Sequence, residues 1–411
     1  MKAQTSHGVA ERNLDGSLIR WFLLRAGRPR IAVRLWTGAE IRVTDERPVA
    51  TMVINSRRAL LNMLRSPSVG FGEAYMHGGI EIEGDMLAFV NEATAAWTRS
   101  TAGRYLLPRI GSALYAIQRN TLGRARSNVH HHYDLGNDFY RLWLDERMVY
   151  TCAYFENPSA TLAEAQVAKL DHVCRKLDLR PGQKVIEAGC GWGALALHMA
   201  EHYGVQVVAF NNSHEQVAWA RERARARGLE GRVRFVEDDY RTIDERCDVF
   251  VSVGMLEHVG IGNYRTLGRL IRRCLKPEGL GLIHTIGRSH PQKADPWIRK
   301  YIFPGGHIPS LAEMMGVFEP ERFSVLDVEN LRPHYARTCA MWLENFERVA
   351  DRVAAMYDET FVRMWRLYLA GSSAGFSTGT LQLFQVLFTQ LGNRRAPWTR
   401  EYQYRGSRGA D

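Results

Sequence analysis

Val185-Ile186-Glu187-Ala188-Gly189-Cys190-Gly191-Trp192-Gly193 is the stretch on which the fold turns. Four residues with buried-strand character run into a turn with glycine at every second position, and a helix is expected from near Trp192. A glycine turn lets the backbone come into contact with a ligand because no Cβ intervenes. By itself the turn is a weak signal, since dinucleotide-binding folds use a similar one with G-x-G-x-x-G spacing. Here the spacing is G-x-G-x-G, and Glu187 precedes it.

The surroundings of the turn alternate in the same way. Thr161-x-x-Glu164 has capping-box spacing, and Leu162, Val167, Leu170, Val173 and Leu177 form an apolar stripe behind it. Pro181-Gly182 separates that helix from the strand at 185–188. A helix over 192–203, a strand over Val205–Phe210, and a helix from the Ser213-x-x-Gln216 cap to Arg227 follow. Strands at Val233–Val236, Val249–Val253 and Leu280–His284 complete the pattern. Strand and helix in alternation predict a parallel sheet covered on both faces, with ligands at the carboxyl ends of the strands.

Upstream, residues 1–95 mix short strands with a helix near Arg58–Leu64 and read as a small α+β domain. A basic linker, with room for one helix, is expected over 96–130. The catalytic domain is expected over 131–392, mostly helical and aromatic-rich after Arg288, followed by a flexible basic tail over 393–411.

The chain has 411 residues, 45% hydrophobic and 24% charged, which is the composition of a soluble globular protein with an ample core. No apolar run approaches a membrane span, and Met1–Asn13 has no signal-peptide core, so a cytoplasmic protein is expected. Six cysteines without a C-x-x-C pair support neither a zinc site nor a disulfide framework, and no metal is expected. The net charge is +10, and residues 1–130 carry 18 Lys/Arg against 10 Asp/Glu. From Ala93 to Tyr133 there are six arginines, no acidic residue, and interleaved Tyr105, Leu106, Leu107, Ile110, Leu114, Tyr115 and Ile117. That mixture suits an anionic membrane surface; it also suits a linker whose apolar residues pack on a neighbouring domain. No recognition motif supports nucleic acid.

Several strand ends carry chemistry-bearing residues. Glu187 can accept hydrogen bonds from a ligand's ammonium or can brace its own loop. Asn211 and Asn212 follow the second strand, where amide hydrogen bonds would reach a ribose; Gln216 either reaches the same pocket or closes a capping box. Asp238, Asp239 and Tyr240 follow the third strand, where an adenine would be read or a turn simply solvated. Glu257 and His258 lie just past the fourth strand and His284 ends the fifth. A carboxylate and a histidine at neighbouring strand ends weigh towards function more than either alone.

Taken in order, His132-Tyr133-Asp134-Leu135-Gly136-Asn137-Asp138-Phe139-Tyr140, Tyr150-Thr151-Cys152-Ala153-Tyr154-Phe155, the glycine turn, Gly254-Met255-Leu256-Glu257-His258-Val259-Gly260, His284-Thr285-Ile286-Gly287 and Tyr301-Ile302-Phe303-Pro304-Gly305-Gly306 resemble the cyclopropane fatty acid synthase family, which includes the mycolic acid methyltransferases. The resemblance runs from about residue 130 to 390, and Gly72-Glu73-Ala74-Tyr75-Met76 is similar to the family's N-terminal domain. It implies a Rossmann-like class I S-adenosylmethionine methyltransferase domain with helical lipid-binding additions, preceded by a small α+β N-terminal domain. The implied reaction transfers the sulfonium methyl to the double bond of an unsaturated phospholipid acyl chain. A carbocation then loses a proton to bound bicarbonate as the cyclopropane ring closes.

On this resemblance the bicarbonate site is Cys152 (through its backbone), Glu257, His284, Ile286 (through its backbone) and Tyr335. The methyl-donor site is Tyr150, Thr151, Glu187, Gly189, Gly191, Gly193, Asn211, Gln216, Asp238, Asp239 and Tyr240. Tyr301, Phe303 and Phe376 are implied to line the acyl channel, or to face the passing cation. A peripheral enzyme on the inner face of an anionic bilayer is implied, with a homodimer compatible with it. Two departures stand out. Asn211-Asn212-Ser213 replaces a Thr-Leu-Ser or Thr-Ile-Ser, and Gly371-Ser372-Ser373-Ala374-Gly375-Phe376 replaces a segment that often carries cysteine. Two other outcomes are compatible with the residues: a methyl- or methylene-branched product, or a lipid-binding paralogue without catalysis.

Overall fold

The computed structural model describes residues 14–100 and 135–404. Its contacts gather into two compact units that are not contiguous along the chain. Among the described residues, one comprises 14–100, 295–302 and 339–380; the other comprises 135–294, 303–338 and 381–404.

The N-terminal unit holds a four-stranded sheet in the order β2-β1-β3-β4, formed by β1 (Ile31–Leu35), β2 (Glu40–Ile41), β3 (Ala50–Ile54) and β4 (Ile80–Gly84). β1 and β3 are parallel, and β2 and β4 flank them antiparallel. Ser56 caps the helix Arg57–Arg65 by accepting the N–H of Ala59, and Pro67 opens the helix Pro67–Met76. The helix Met86–Arg99 runs through residue 96, so the expected start of the linker is helical; the rest of the basic segment lies outside the described residues. The catalytic domain expected as one block over 131–392 is divided. Arg363, in the helix Glu359–Thr378, donates to the carbonyls of Tyr75 and Ile80, and Trp297 packs where a Cβ on Gly72 would sit. These contacts join C-terminal helices to the N-terminal sheet, a pairing that periodicity within one helix does not encode.

The other unit carries a seven-stranded sheet in the order β10-β11-β9-β8-β5-β6-β7. Its strands are β5 (Lys184–Ala188), β6 (Gln206–Asn211), β7 (Val233–Glu237), β8 (Cys247–Val253), β9 (Leu275–Gly287), β10 (Phe323–Asn330) and β11 (Gln382–Gln390). β7, β6, β5, β8 and β9 pair in parallel, while β11 and β10 complete the sheet antiparallel. Val185, Ile186, Val207, Val249, Val251, Leu282 and Ile283 are buried, as expected for strands covered on both faces. β6 and β8 leave β5 on opposite sides, so the turn after β5 stands at the topological switch point, where such sheets bind ligands. The doubly wound α/β architecture agrees with the reading of the alternation.

Local signals are also realised. Thr161 and Glu164 form the reciprocal capping box of the helix Leu162–Lys176. Ser213 caps the helix His214–Ala226, and the helix after the glycine turn begins at Ala194, behind a left-handed Gly193. The C-terminal tail departs from expectation as far as Tyr404. Gln403 is buried, its carbonyl accepts Arg175 Nε at 3.0 Å, and the Tyr402 hydroxyl donates to the Lys176 carbonyl at 3.2 Å. These bonds hold residues 402–403 on the Leu162–Lys176 helix. No helix among the described residues is long and apolar enough to cross a membrane.

Candidate active site

The glycine turn is fastened from below. The N–H groups of Gly189 and Cys190 both donate to the Phe210 carbonyl at the end of β6, at 2.9 and 3.1 Å. A Cβ on Gly193 would lie 2.7 Å from the Phe235 ring, so packing requires glycine there. At Gly191, with φ +53°, a Cβ would meet nothing within 4 Å. This backbone therefore borders open space, the geometry of a cradle for a ligand.

Around the cradle several buried polar atoms have no hydrogen-bond partner among the described residues: Glu187 Oε2, Asn212 Oδ1, Gln216 Nε2 and the Tyr240 hydroxyl. Buried polar atoms are seldom left so, and each is an offer to a ligand. Asn211 is different. Its Nδ2 donates to the Gly191 carbonyl at 3.2 Å and to Gln216 Oε1 at 2.7 Å, while its Oδ1 accepts the Asn212 N–H. Asn211 thus braces the turn, and Gln216 answers Asn211 through Oε1. Asp239 is likewise engaged, with Arg241 bound at 2.6 and 2.8 Å; those bonds hold its carboxyl below the usual range despite burial. Asp238 accepts the Asp239 N–H.

The Tyr150-Thr151-Cys152 segment is strung between two helices. Gln166 Nε2 donates to the Thr151 carbonyl at 2.9 Å and Lys169 Nζ to the Thr151 hydroxyl at 3.0 Å. On the other side, Thr338 Oγ1 accepts the Ala153 N–H at 3.1 Å, and His334 Nδ1 accepts that of Phe155 at 3.0 Å. The Tyr150 ring lies 5.4 Å from that of Tyr140, which in turn lies 5.0 Å from Trp192 of the glycine turn. Asn137 Oδ1 accepts the Trp192 indole N–H at 2.7 Å, a link the sequence reading did not assign. Gln166 and Lys169 were also missed, because they lie between the apolar positions that announced their helix.

A second cluster sits at the ends of β8 and β9. Glu257, in the short helix Leu256–Val259, accepts the Ile286 N–H on Oε1 at 2.6 Å, and its Oε2 has no partner among the described residues. Burial pushes its carboxyl up to about 7. His284 pairs with Val253, and its carbonyl accepts the Gly254 N–H at 2.9 Å. Its Nδ1 meets Gln385 Nε2 at 3.0 Å, while Nε2 is buried without a partner among the described residues. Burial, with the nearby Lys169 and Lys176 charges, holds this imidazole well below its usual range, so it is neutral. With the Gln385 amide donating to Nδ1, the imidazole proton sits on Nε2, the unpartnered nitrogen.

The structure therefore joins Glu257 directly to Ile286, two residues along β9 from His284. Cys152 and Tyr335 share a second mooring: Tyr335 is one helical turn before Thr338, which binds the residue after Cys152. The Cys152 thiol is buried, and burial pushes it up, so it is a neutral group. The expected channel residues fall in different units. Phe303 stands edge-on to His258 at 5.7 Å, whereas Phe376 and Tyr301 belong to the N-terminal unit. There the Tyr301 hydroxyl donates to Glu73 at 2.8 Å.

Known proteins resemble this chain in sequence and fold. The family model described as mycolic acid cyclopropane synthetase matches residues 120–386, and one described only as a domain of unknown function matches 20–100. The chain is 38% identical over 364 residues to the cyclopropane-fatty-acyl-phospholipid synthase of Escherichia coli K12, covering 88% of this chain and 93% of that protein. A probable fatty acid methyltransferase of Pseudomonas putida is 35% identical over 395 residues, covering 91% and 96%. The crystal structure of mycolic acid cyclopropane synthase CmaA1 complexed with SAH and CTAB matches with a TM-score of 0.62 at 33% identity, over 64% of this chain and 98% of that one.

Proposed function

The chain belongs to the mycolic acid cyclopropane synthetase family, and from that premise we propose that it transfers the methyl of S-adenosylmethionine to the double bond of unsaturated phospholipid acyl chains, closing a cyclopropane ring. One observation carries the ring-forming reading: Glu257 Oε2 and His284 Nε2, at the carboxyl ends of adjacent parallel strands, are both buried and unpartnered among the described residues. Those atoms suit a small oxyanion that both accepts and donates hydrogen bonds, as bicarbonate does.

When bound, S-adenosylmethionine supplies an electrophilic methyl group and bicarbonate a base. The residues do the rest. Gly191 admits the donor close to the backbone, and Glu187, Asn212 and Gln216 offer buried polar atoms for its ammonium and hydroxyl groups. In that reaction the alkene π pair would form the new C–C bond while the S–CH₃ pair stays on sulfur, and a proton of the added methyl would pass to the base as its C–H pair closes the ring. His284, being neutral, donates its Nε2–H to an anion's oxygen without protonating it. Glu257, with its carboxyl up near 7, can accept from or donate to a bicarbonate hydroxyl. Their burial excludes the water that would capture a cation.

The substrate lies in a bilayer, and the six arginines between residues 93 and 133 are the expected contact with anionic headgroups. Charge reversal of Arg104, Arg109 and Arg119, all outside the described residues, is expected to weaken liposome binding, and unchanged binding overturns this docking role.

The deciding experiment incubates the protein with S-adenosylmethionine and liposomes of unsaturated phospholipid, with and without bicarbonate, then analyses fatty acid methyl esters. A gain of one CH₂ with upfield ring protons supports cyclopropanation. Vinylic or branched-methyl signals at that mass reassign the product, and no gain despite liposome binding marks a lipid-binding paralogue.

A further inference from the structure

One buried charge takes no part in these steps. Lys169 is 2% exposed, yet its ammonium reaches the Thr151 hydroxyl at 3.0 Å. One turn earlier the same helix places Gln166 Nε2 on the Thr151 carbonyl. Thr151 itself stands against the end of β8, its Cγ2 3.0 Å from where a Cβ on Gly254 would be. A lysine kept only for volume would be replaceable by methionine, and a buried ammonium is costly unless it is partnered. Two carboxylates face Lys169 electrostatically, Asp145 and Glu187. Asp145 is spent on the N–H groups of Arg147 and Val149. Glu187 has Oε2 unpartnered among the described residues and borders the glycine turn.

We propose that Lys169 is a positioning residue of the methyl-donor site: its ammonium fixes the Tyr150-Thr151-Cys152 segment through the Thr151 hydroxyl. The inference rests on the reading of the cradle as an S-adenosylmethionine site.

Burial pushes the Glu187 carboxyl up to about 8 even with Lys169 and the Ala196 N–H opposing this, so it is mostly protonated at neutral pH and Lys169 acts through Thr151. The other titratable groups facing Glu187, the Cys174 and Cys190 thiols, are themselves pushed up by burial and stay neutral.

The test is calorimetric titration of S-adenosylmethionine and S-adenosylhomocysteine into the full-length wild type, Lys169→Met, Lys169→Arg, Thr151→Val and the Lys169→Met/Thr151→Val double variant at pH 7. Lys169→Met is expected to weaken donor affinity by about 10-fold or more, with most retained in Lys169→Arg. Because Lys169 acts through the Thr151 hydroxyl, the double variant should bind no worse than Lys169→Met alone. Affinity of Lys169→Met within about 2-fold of wild type, or fully additive losses, overturns the inference. If circular dichroism shows Lys169→Met unfolded, Thr151→Val in the wild type and in Lys169→Arg replaces it; removing the hydroxyl must then weaken the donor at least 5-fold or so, and unchanged affinity overturns the inference. A wild type that binds no donor overturns the functional reading, and the inference with it.

Discussion

Ile286 donates its backbone N–H to Glu257 Oε1 at 2.6 Å, and this bond ties the end of β9 to the helix that follows β8. One carboxylate oxygen is thereby held by the scaffold while the other is left for chemistry. Burial raises the group to about 7, where a carboxyl can exchange protons near neutral pH.

Replacing Glu257 with Gln preserves an acceptor for Ile286 but removes the titration. Turnover on liposomes should fall about 100-fold, while donor affinity by calorimetry stays near wild type. A stability signature accompanies it. The folded protein binds this proton more tightly than the unfolded chain, so ionisation costs stability as pH rises from about 4.5 to about 7. Thermal melts across that window should fall less steeply in Glu257→Gln than in wild type; parallel curves would show that Glu257 does not titrate there.

Gln385 orients His284 by donating to Nδ1 at 3.0 Å. In Gln385→Leu the imidazole loses the partner that selects the Nε2–H tautomer. Turnover should drop about 10- to 100-fold with little change in donor affinity. Nitrogen NMR of labelled histidine reports the tautomer directly, and an unchanged spectrum with unchanged turnover would rule out this role.

Two glycines two residues apart should respond differently to alanine. At Gly191 the new methyl meets open space, so the cost is the left-handed backbone, about 1–2 kcal/mol, and the damage falls on donor binding. At Gly193 the methyl would lie 2.7 Å from Phe235, adding overpacking for a total of about 2–5 kcal/mol. Melting curves paired with donor titration separate the two, and equal melting temperatures would contradict the packing.

Glu329 accepts from His172 at 2.7 Å and forms an ion pair with Lys176 at 2.6 Å, both partners fully buried. Against the desolvation that pushes it up, these two partners bring its carboxyl down to about 2. Its stabilisation is therefore present above the ordinary carboxylate range and is lost as pH falls from about 4.5 towards 2. Glu329→Gln leaves the buried Lys176 with only the more distant Asp327 carboxylate, at 3.8 Å, and should cost about 3 kcal/mol at pH 7. Denaturant titration measures it, and a difference that shrinks steadily as pH falls from about 4.5 towards 2 would bear out the linkage.

Much of the site was legible where the chemistry is local. The glycine spacing, the Thr161–Glu164 capping box and the strand ends bearing Glu257 and His284 are written in contiguous residues, because turns, caps and period-two burial depend on near neighbours. Asn211 illustrates the limit. Its place after β6 suggested a ribose contact, yet only the folded turn brings Gly191 and Gln216 to its amide and consumes both donors.

The amino-acid sequence by itself determined the doubly wound sheet, the cradle after β5 and the carboxylate–histidine pair at the strand ends. Those features follow from side-chain periodicity and from glycine's freedom at a turn. Tertiary structure alone decided which atoms remain available to a ligand, because that depends on what distant residues have already taken. Gln385 meets His284 across 101 positions, Lys169 finds Thr151 from a helix read as apolar, and Arg363 joins a C-terminal helix to the carbonyls of Tyr75 and Ile80. Such pairings are fixed by packing and by the cost of leaving a buried polar group unmatched, and neither is a property of a local window of sequence.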